Sequence, residues 1–166
     1  LLLDARAPTE QRIEAGQILA RLADESAANA LVRGLLAKPS EVAAEAAIAL
    51  GRMYDERARA ALRKLVYVED PYVRARAAVS LGRLRDRAAV PALIEALWVA
   101  PTQYEREEAI RWLGRLRDPR AVEPLLGILP EFNLRYLAAV ALGMIGDVRA
   151  YDALSDMLEW EQHTNI

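Results

Sequence analysis

The chain has 166 residues, 54% of them hydrophobic, which is enough for one sizeable core, and its formal net charge of −2 supplies no general attraction to nucleic acid or anionic membranes. It contains no cysteine, which excludes disulfides and thiolate chemistry. Its longest apolar runs fall far short of the ~20 residues needed to span a bilayer, so no membrane partner is expected. Arginine outnumbers lysine twenty to two, a skew that points to a GC-rich, bacterial coding background.

Residues 1–7 read as the tail of a preceding second helix, and no initiator Met is present, so the sequence reads as a segment of a longer protein. A leucine then recurs at Leu19, Leu50, Leu81, Leu113 and Leu142, with gaps of 31, 31, 32 and 29 residues. A period of that size marks a stacked array. Five units follow, at about 8–38, 39–69, 70–100, 101–131 and 132–161, with 162–166 as the start of a further one.

Each unit reads as two amphipathic helices. The first helices open at Thr9, Ser40, Asp70, Thr102 and Asn133, and Thr102 with Glu105 fits a capping box. Their apolar face carries Ala15, Ala46, Ala77, Ala109 and Ala138 four residues before the recurring leucine, and Leu22, Met53, Leu84, Leu116 and Ile145 three after it. Gly51, Gly82, Gly114 and Gly143 follow the leucine directly and are expected to let the two helices of a pair approach closely, despite a helix cost of roughly 1 kcal/mol. Arg21, Arg52, Arg83 and Arg115 fall near first-helix C-termini, where cations are favoured.

An aspartate stands five after every leucine of the series: Asp24, Asp55, Asp86, Asp118 and Asp147. Each is expected to cap a second helix. On those helices Leu31, Leu62, Leu93, Leu125 and Leu154 lie four before Leu35, Val66, Leu97, Leu129 and Leu158, which makes one apolar face. Arg12, Arg74, Arg106 and Arg135 recur seven before the leucine. They are expected to reach the capping aspartate of a neighbouring repeat, a structural ladder that fixes register at under ~1 kcal/mol per pair. Trp112, on a first helix, is expected to pack against an adjacent helix.

Residues 70–86 (DPYVRARAAVSLGRLRD) with 87–97 (RAAVPALIEAL) resemble a short HEAT repeat, most closely the HEAT-like units named after phycobilin lyases, and 111–129 repeats the second half of the pattern. The resemblance implies an all-α fold, an α-solenoid forming a right-handed superhelix of about five HEAT-like helix pairs. It also implies that the second helices line the concave surface. There, fourteen after the leucine, stand Arg33, Lys64, Glu95, Gly127 and Asp156; seventeen after it stand Leu36, Tyr67, Trp98, Pro130 and Glu159. Charge thus runs from basic to acidic, and the acidic end (Asp147, Asp152, Asp156, Glu159, Glu161) reads as a solvated face. Arg59 and Arg63 replace what are Val90 and Ile94 one repeat on. Arg59, Arg63, Lys64, Tyr67, Glu95 and Trp98 are therefore the expected contacts to a protein or peptide segment, since Arg, Tyr and Trp are favoured anchors. The structural alternative is that the arginine stems lie along apolar surface and the rings only fill the groove between repeats.

No catalytic residue, metal ligand set or cofactor motif stands out. His163 is the only histidine, and the glycines obey the repeat rather than a phosphate-binding pattern. The lone histidine also departs from the several His-Glu pairs of HEAT-like deoxyhypusine hydroxylases. By resemblance, the alternative to a protein-interaction scaffold is a phycobilin-lyase-like or chaperone-like protein handling a tetrapyrrole, whose propionates would suit Arg59 and Arg63, or its carrier protein. Nucleic-acid binding, as in HEAT-like DNA glycosylases, ranks third, because the charge gradient breaks a continuous phosphate track. A cytoplasmic setting is the default expectation.

Overall fold

A computed structural model describes residues 1–22, 24–53, 56–100 and 102–164, with side chains placed as far as Met157. The described residues form five antiparallel pairs: α1 (Thr9–Leu22) with α2 (Glu25–Gly34), α3 (Ser40–Gly51) with α4 (Glu56–Leu65), α5 (Pro71–Arg83) with α6 (Val90–Val99), α7 (Gln103–Leu116) with α8 (Val122–Leu126), and α9 (Phe132–Ile145) with α10 (Tyr151–Thr164). Among them there is no strand, and the molecule is an all-α solenoid. Among the described residues, no helix is long and apolar enough to cross a membrane.

The aspartates act at the expected places. Asp24 accepts from the Ala27 amide at the start of α2. Asp86, Asp118 and Asp147 accept from the amides of Ala88, Arg120 and Arg149, in short 3-10 turns that lead into α6, α8 and α10. Asp55 lies outside the described residues. Asp70 caps α5 through the amides of Tyr72 and Val73, with Pro71 at the first helical position. Elsewhere the starts differ. Ser40 is itself helical, and Asn133 lies inside α9, which opens one residue earlier. Thr102 caps no backbone amide of α7; its hydroxyl donates to the Glu105 carboxylate, so the box closes side chain to side chain. Helix α8 keeps only five residues, because Gly127 and Pro130 weaken the stretch after it. At the far end, α10 runs to Thr164, past the expected boundary at 161.

The recurring apolar positions make one continuous core. Leu50, Leu81, Leu113 and Leu142, the alanines from Ala46 to Ala138, and Leu31, Leu62, Leu93 and Leu125 are all buried. The first unit is more open, and Leu22 is exposed where Leu84 and Leu116 are covered. Leu2, in a turn rather than a helix, is buried against Gly16 and Gly34 and closes this side of the first pair.

The glycines work differently from the expectation. A Cβ at Gly51 would lie 2.6 Å from Ser80 Cβ, at Gly82 2.8 Å from Trp112 Cγ, and at Gly114 2.7 Å from Ala141 Cα. Each gap admits the first helix of the next repeat, not the partner helix of the same pair. The first helices therefore stack closely in a continuous row, while successive second helices meet far less. We call the closely stacked first helices the inner row and the second helices the outer row.

Two of the caps tie stability to pH. Asp147 is drawn down from 3.8 to about 2, chiefly by the side-chain hydrogen bonds from Arg149 and also by that residue's amide. Asp118 is lowered in the same direction, first by the Arg120 side chain. A folded value below the unfolded one gives a contribution that is complete above the ordinary value of 3.8 and fades as pH falls toward about 2. Urea midpoints from about pH 5 to about pH 2 should therefore fall more steeply for the native chain than for Asp147→Asn; equal slopes would separate this cap from the acid response.

Candidate functional site

The six expected contact residues all sit on the outer row, and they divide by what already holds them. Tyr67, in the turn after α4, is 82% exposed, and Trp98 on α6 is 55% exposed. Leu36, in the same register one repeat earlier, is 84% exposed, so the row reads Leu36, Tyr67, Trp98. The rim of the Trp98 indole rests over Gly127 of the next repeat, at 3.3 Å from where a Cβ would stand. The ring thus partly fills the groove, as the structural alternative expects, and leaves its remaining surface open. Lys64 is exposed beside Tyr67.

The charged members are more committed. The Arg63 Nε donates to Asp86 Oδ2 at 2.7 Å, linking α4 to the cap of the next repeat and raising the guanidinium's pKa. Arg74 holds Glu95 through two hydrogen bonds of 3.1 and 2.5 Å. Arg59 pairs with Glu56 at 3.1 Å one turn away. Among the described residues, no hydrogen bond or ion pair joins two of the six. The apolar members and Lys64 remain available to a partner, whereas Arg63 and Glu95 serve the array first.

The ladder arginines also find other partners. Arg12 donates to the carbonyls of Leu2 (3.0 Å) and Lys38 (2.5 Å), Arg74 to that of Val68 (2.5 Å), Arg106 to that of Leu97 (2.7 Å) and Arg135 to that of Leu129 (2.9 Å). Arg106 also reaches Glu131 at 2.7 Å. For Arg12, Arg74 and Arg106 the expected aspartate is replaced by these groups. The reason is axial distance: seven before the leucine lies at one end of a first helix and five after it lies beyond the other, about 18 Å away at ~1.5 Å per residue. Carbonyls left open where the preceding second helix ends stand at the near end. The capping aspartates are held by arginines on their own edge, Asp86 by Arg63, Asp118 by Arg120 and Asp147 by Arg149.

The inner row holds a cluster not anticipated from the sequence. Gln17, Glu45, Ile48, Arg52, Arg83 and Tyr104 surround a groove of about 230 Å³ whose floor includes Arg76 and Glu105. The Glu105 side chain is 1% exposed and meets Arg76 in an ion contact rather than a directed hydrogen bond, so the Arg76 Nε and Glu105 Oε1 are buried without hydrogen-bond partners. The rings of Tyr72 and Tyr104 flank the Arg76 guanidinium at 5.2 and 5.5 Å. Nearby, Trp112 packs on Gly82, as its expected packing role requires, and donates to Glu108 at 3.3 Å. The signal was a break in the repeat: Glu105 stands where α3, α5 and α9 carry Val42, Val73 and Leu134, and Arg76 where α1, α3 and α7 carry Glu14, Glu45 and Glu108.

No group of His, Asp or Glu that could hold a metal occurs among the described residues. A model of HEAT repeats matches residues 37–111, 64–129 and 97–164. No curated protein matches the chain. Among solved structures, an engineered protein is similar at 25% identity and TM-score 0.58, over 86% of this chain and 76% of that one. The complex of CpcE and CpcF of phycocyanin lyase from a Nostoc species is similar at 24% identity and TM-score 0.53, over 90% of this chain and 76% of that one, a likeness of fold.

Proposed function

The chain belongs to the HEAT-repeat family, and we propose that it is a protein-interaction scaffold that holds a polypeptide segment along its outer row. The observation that carries this reading is the exposed series Leu36, Tyr67 and Trp98, one large apolar side chain per repeat at one register. An apolar groove of about 180 Å³ spanning the first three pairs, lined by Leu35, Leu36, Leu65, Val68 and Val73 among others, continues the series. Stacking holds the second helices by their opposite faces, so the row is presented rigidly and loses little entropy on binding. Aromatic anchors supply affinity, and Lys64 adds orientation at the rim.

The test is selection of a displayed random-peptide library on the array. Selected peptides should bind Tyr67→Ala/Trp98→Ala about tenfold or more weakly, with the thermal melt lowered only by what the Trp98 ring gives up over Gly127, since Tyr67 is 82% exposed. Undiminished binding by this variant would remove the outer row as the site. The tetrapyrrole reading makes a different demand: a bilin added to the array should change its absorption spectrum, whereas the scaffold reading expects none. Fold likeness alone supports that alternative, and Arg63, one of its two expected propionate ligands, is already engaged by Asp86.

A further inference from the structure

The inner row carries charge that the array uses only in part. Arg21, Arg52, Arg83 and Arg115 occupy one position in four successive first helices, two residues after the recurring leucine. Position near a helix C-terminus accounts for a mild preference there, but the surroundings of these four show more. Most other arginines on this face and its edges are held: Arg76 by Glu105, Arg111 by Glu107 and Glu108, Arg120 by Asp118, and Arg149 by Asp147. Arg21 and Arg52 are exposed, and neither has a side-chain partner among the described residues. Arg83 is partly covered and pairs loosely with Glu108 at 3.4 Å, with the Tyr104 hydroxyl at 3.5 Å, which leaves part of its guanidinium open. Arg115 stacks on Trp112 at 4.7 Å, which leaves its donors outward. Exposed Arg85, Arg87 and Arg117 on the adjacent turns extend the same positive edge in the third and fourth repeats.

The geometry points to a second docking surface: we infer that this arginine column binds an acidic polypeptide segment in polyproline II conformation, with carboxylates three residues apart. Helices in contact lie roughly 8–10 Å apart, and glycine-mediated contact holds these first helices at close range. One turn of polyproline II helix, three residues, advances about 9 Å and returns the side chain to the same face, so every third side chain meets the next arginine. The groove beside Arg52 and Arg83, with Tyr104 on its wall, takes the intervening side chains. Charge complementarity selects a carboxylate-bearing peptide over a polyphosphate. Glu14, Glu45 and Glu108 share the inner face and would repel a strand with a charge on every unit, whereas a peptide charged along one edge only avoids them. The inference extends the scaffold reading to a second face and shares with it only the premise that the partner is a polypeptide.

The test is fluorescence anisotropy with labelled peptides of identical composition, one with glutamates at every third position and one with the same glutamates at every second. The first should bind, more weakly as salt rises, and at least about tenfold more tightly than the second. Arg52→Gln/Arg83→Gln should weaken it about tenfold or more, with the melt lowered only by what the loose Arg83–Glu108 pair contributes, and Arg33→Gln/Lys64→Gln on the outer row should leave it unchanged. Equal binding of the two registers, full binding by the Arg52/Arg83 variant, or equal competition by oligothymidylate would each overturn the inference. The Tyr67→Ala/Trp98→Ala variant should retain the acidic peptide. Failure of the arginine column with the outer-row selection intact therefore falls on this inference alone, and the converse on the outer-row reading alone.

Discussion

Gly114→Ala is expected to lower the unfolding free energy by about 1–3 kcal/mol, while Gly143→Ala leaves it unchanged or raises it by up to about 1 kcal/mol. The two glycines hold the same repeat position, each directly after the recurring leucine of its first helix. A Cβ on Gly114 would stand 2.7 Å from the Ala141 Cα, which is backbone and cannot swing away. Nothing lies within 4 Å of a Cβ on Gly143. Alanine gains about 1 kcal/mol of helix propensity in both places, so the difference in sign comes from inter-repeat contact alone. Gly82→Ala should behave like Gly114→Ala, since the ring and Cβ of Trp112 face it at 2.8 and 2.9 Å. Urea unfolding of the variants reads this directly. If all four glycines responded alike, close stacking of the first helices would not be what the glycines serve.

The second large effect is expected at the buried pair. Arg76→Ala should cost about 3 kcal/mol, because it leaves the Glu105 carboxylate buried and uncompensated. The low end of the usual range applies, as the Arg76 side chain is 19% exposed and water can follow its removal. A double change, Arg76→Leu with Glu105→Val, should return the array to within about 1 kcal/mol of its starting stability or beyond it. Valine is the residue that Val42 and Val73 already supply at this position, and leucine replaces the arginine stem. A double-mutant cycle in urea makes the comparison. A double variant no more stable than Arg76→Ala would show that the pair contributes net stability through its own interaction.

The architecture was legible because its signals repeat. A leucine on a 31-residue beat, an alanine four before it and an aspartate five after it each appear often enough to define helix faces and caps. The outward direction of Tyr67 and Trp98 could also be read, since seventeen residues after the leucine lies off the apolar face. The spacing of the two helix rows could not be read from periodicity, because an apolar stripe does not say which neighbour it meets. Glycine did carry that information, but in its relation to the next repeat rather than to its own pair. The arginine ladder misled for a related reason: equal offsets from the leucine say nothing about axial separation, and the Arg74 position lies a helix length from the caps. Arg63 and Glu95 looked free because their partners, Asp86 and Arg74, come from other helices. The Arg76–Glu105 pair was visible as a broken repeat, and its burial depends on the close approach of α5 and α7.

The measurement that most directly tests a scaffold with its polypeptide on the outer row is fluorine NMR of the fluorotryptophan-labelled array, titrated with a library-selected peptide. Of the three tryptophans, Trp98 lies on the outer row and Trp112 on the inner, and each resonance, that of Trp160 included, can be assigned by substitution with phenylalanine. The account predicts that binding shifts the Trp98 resonance and leaves that of Trp112 in place. A shift of Trp112 alone, or binding that moves neither, would contradict it.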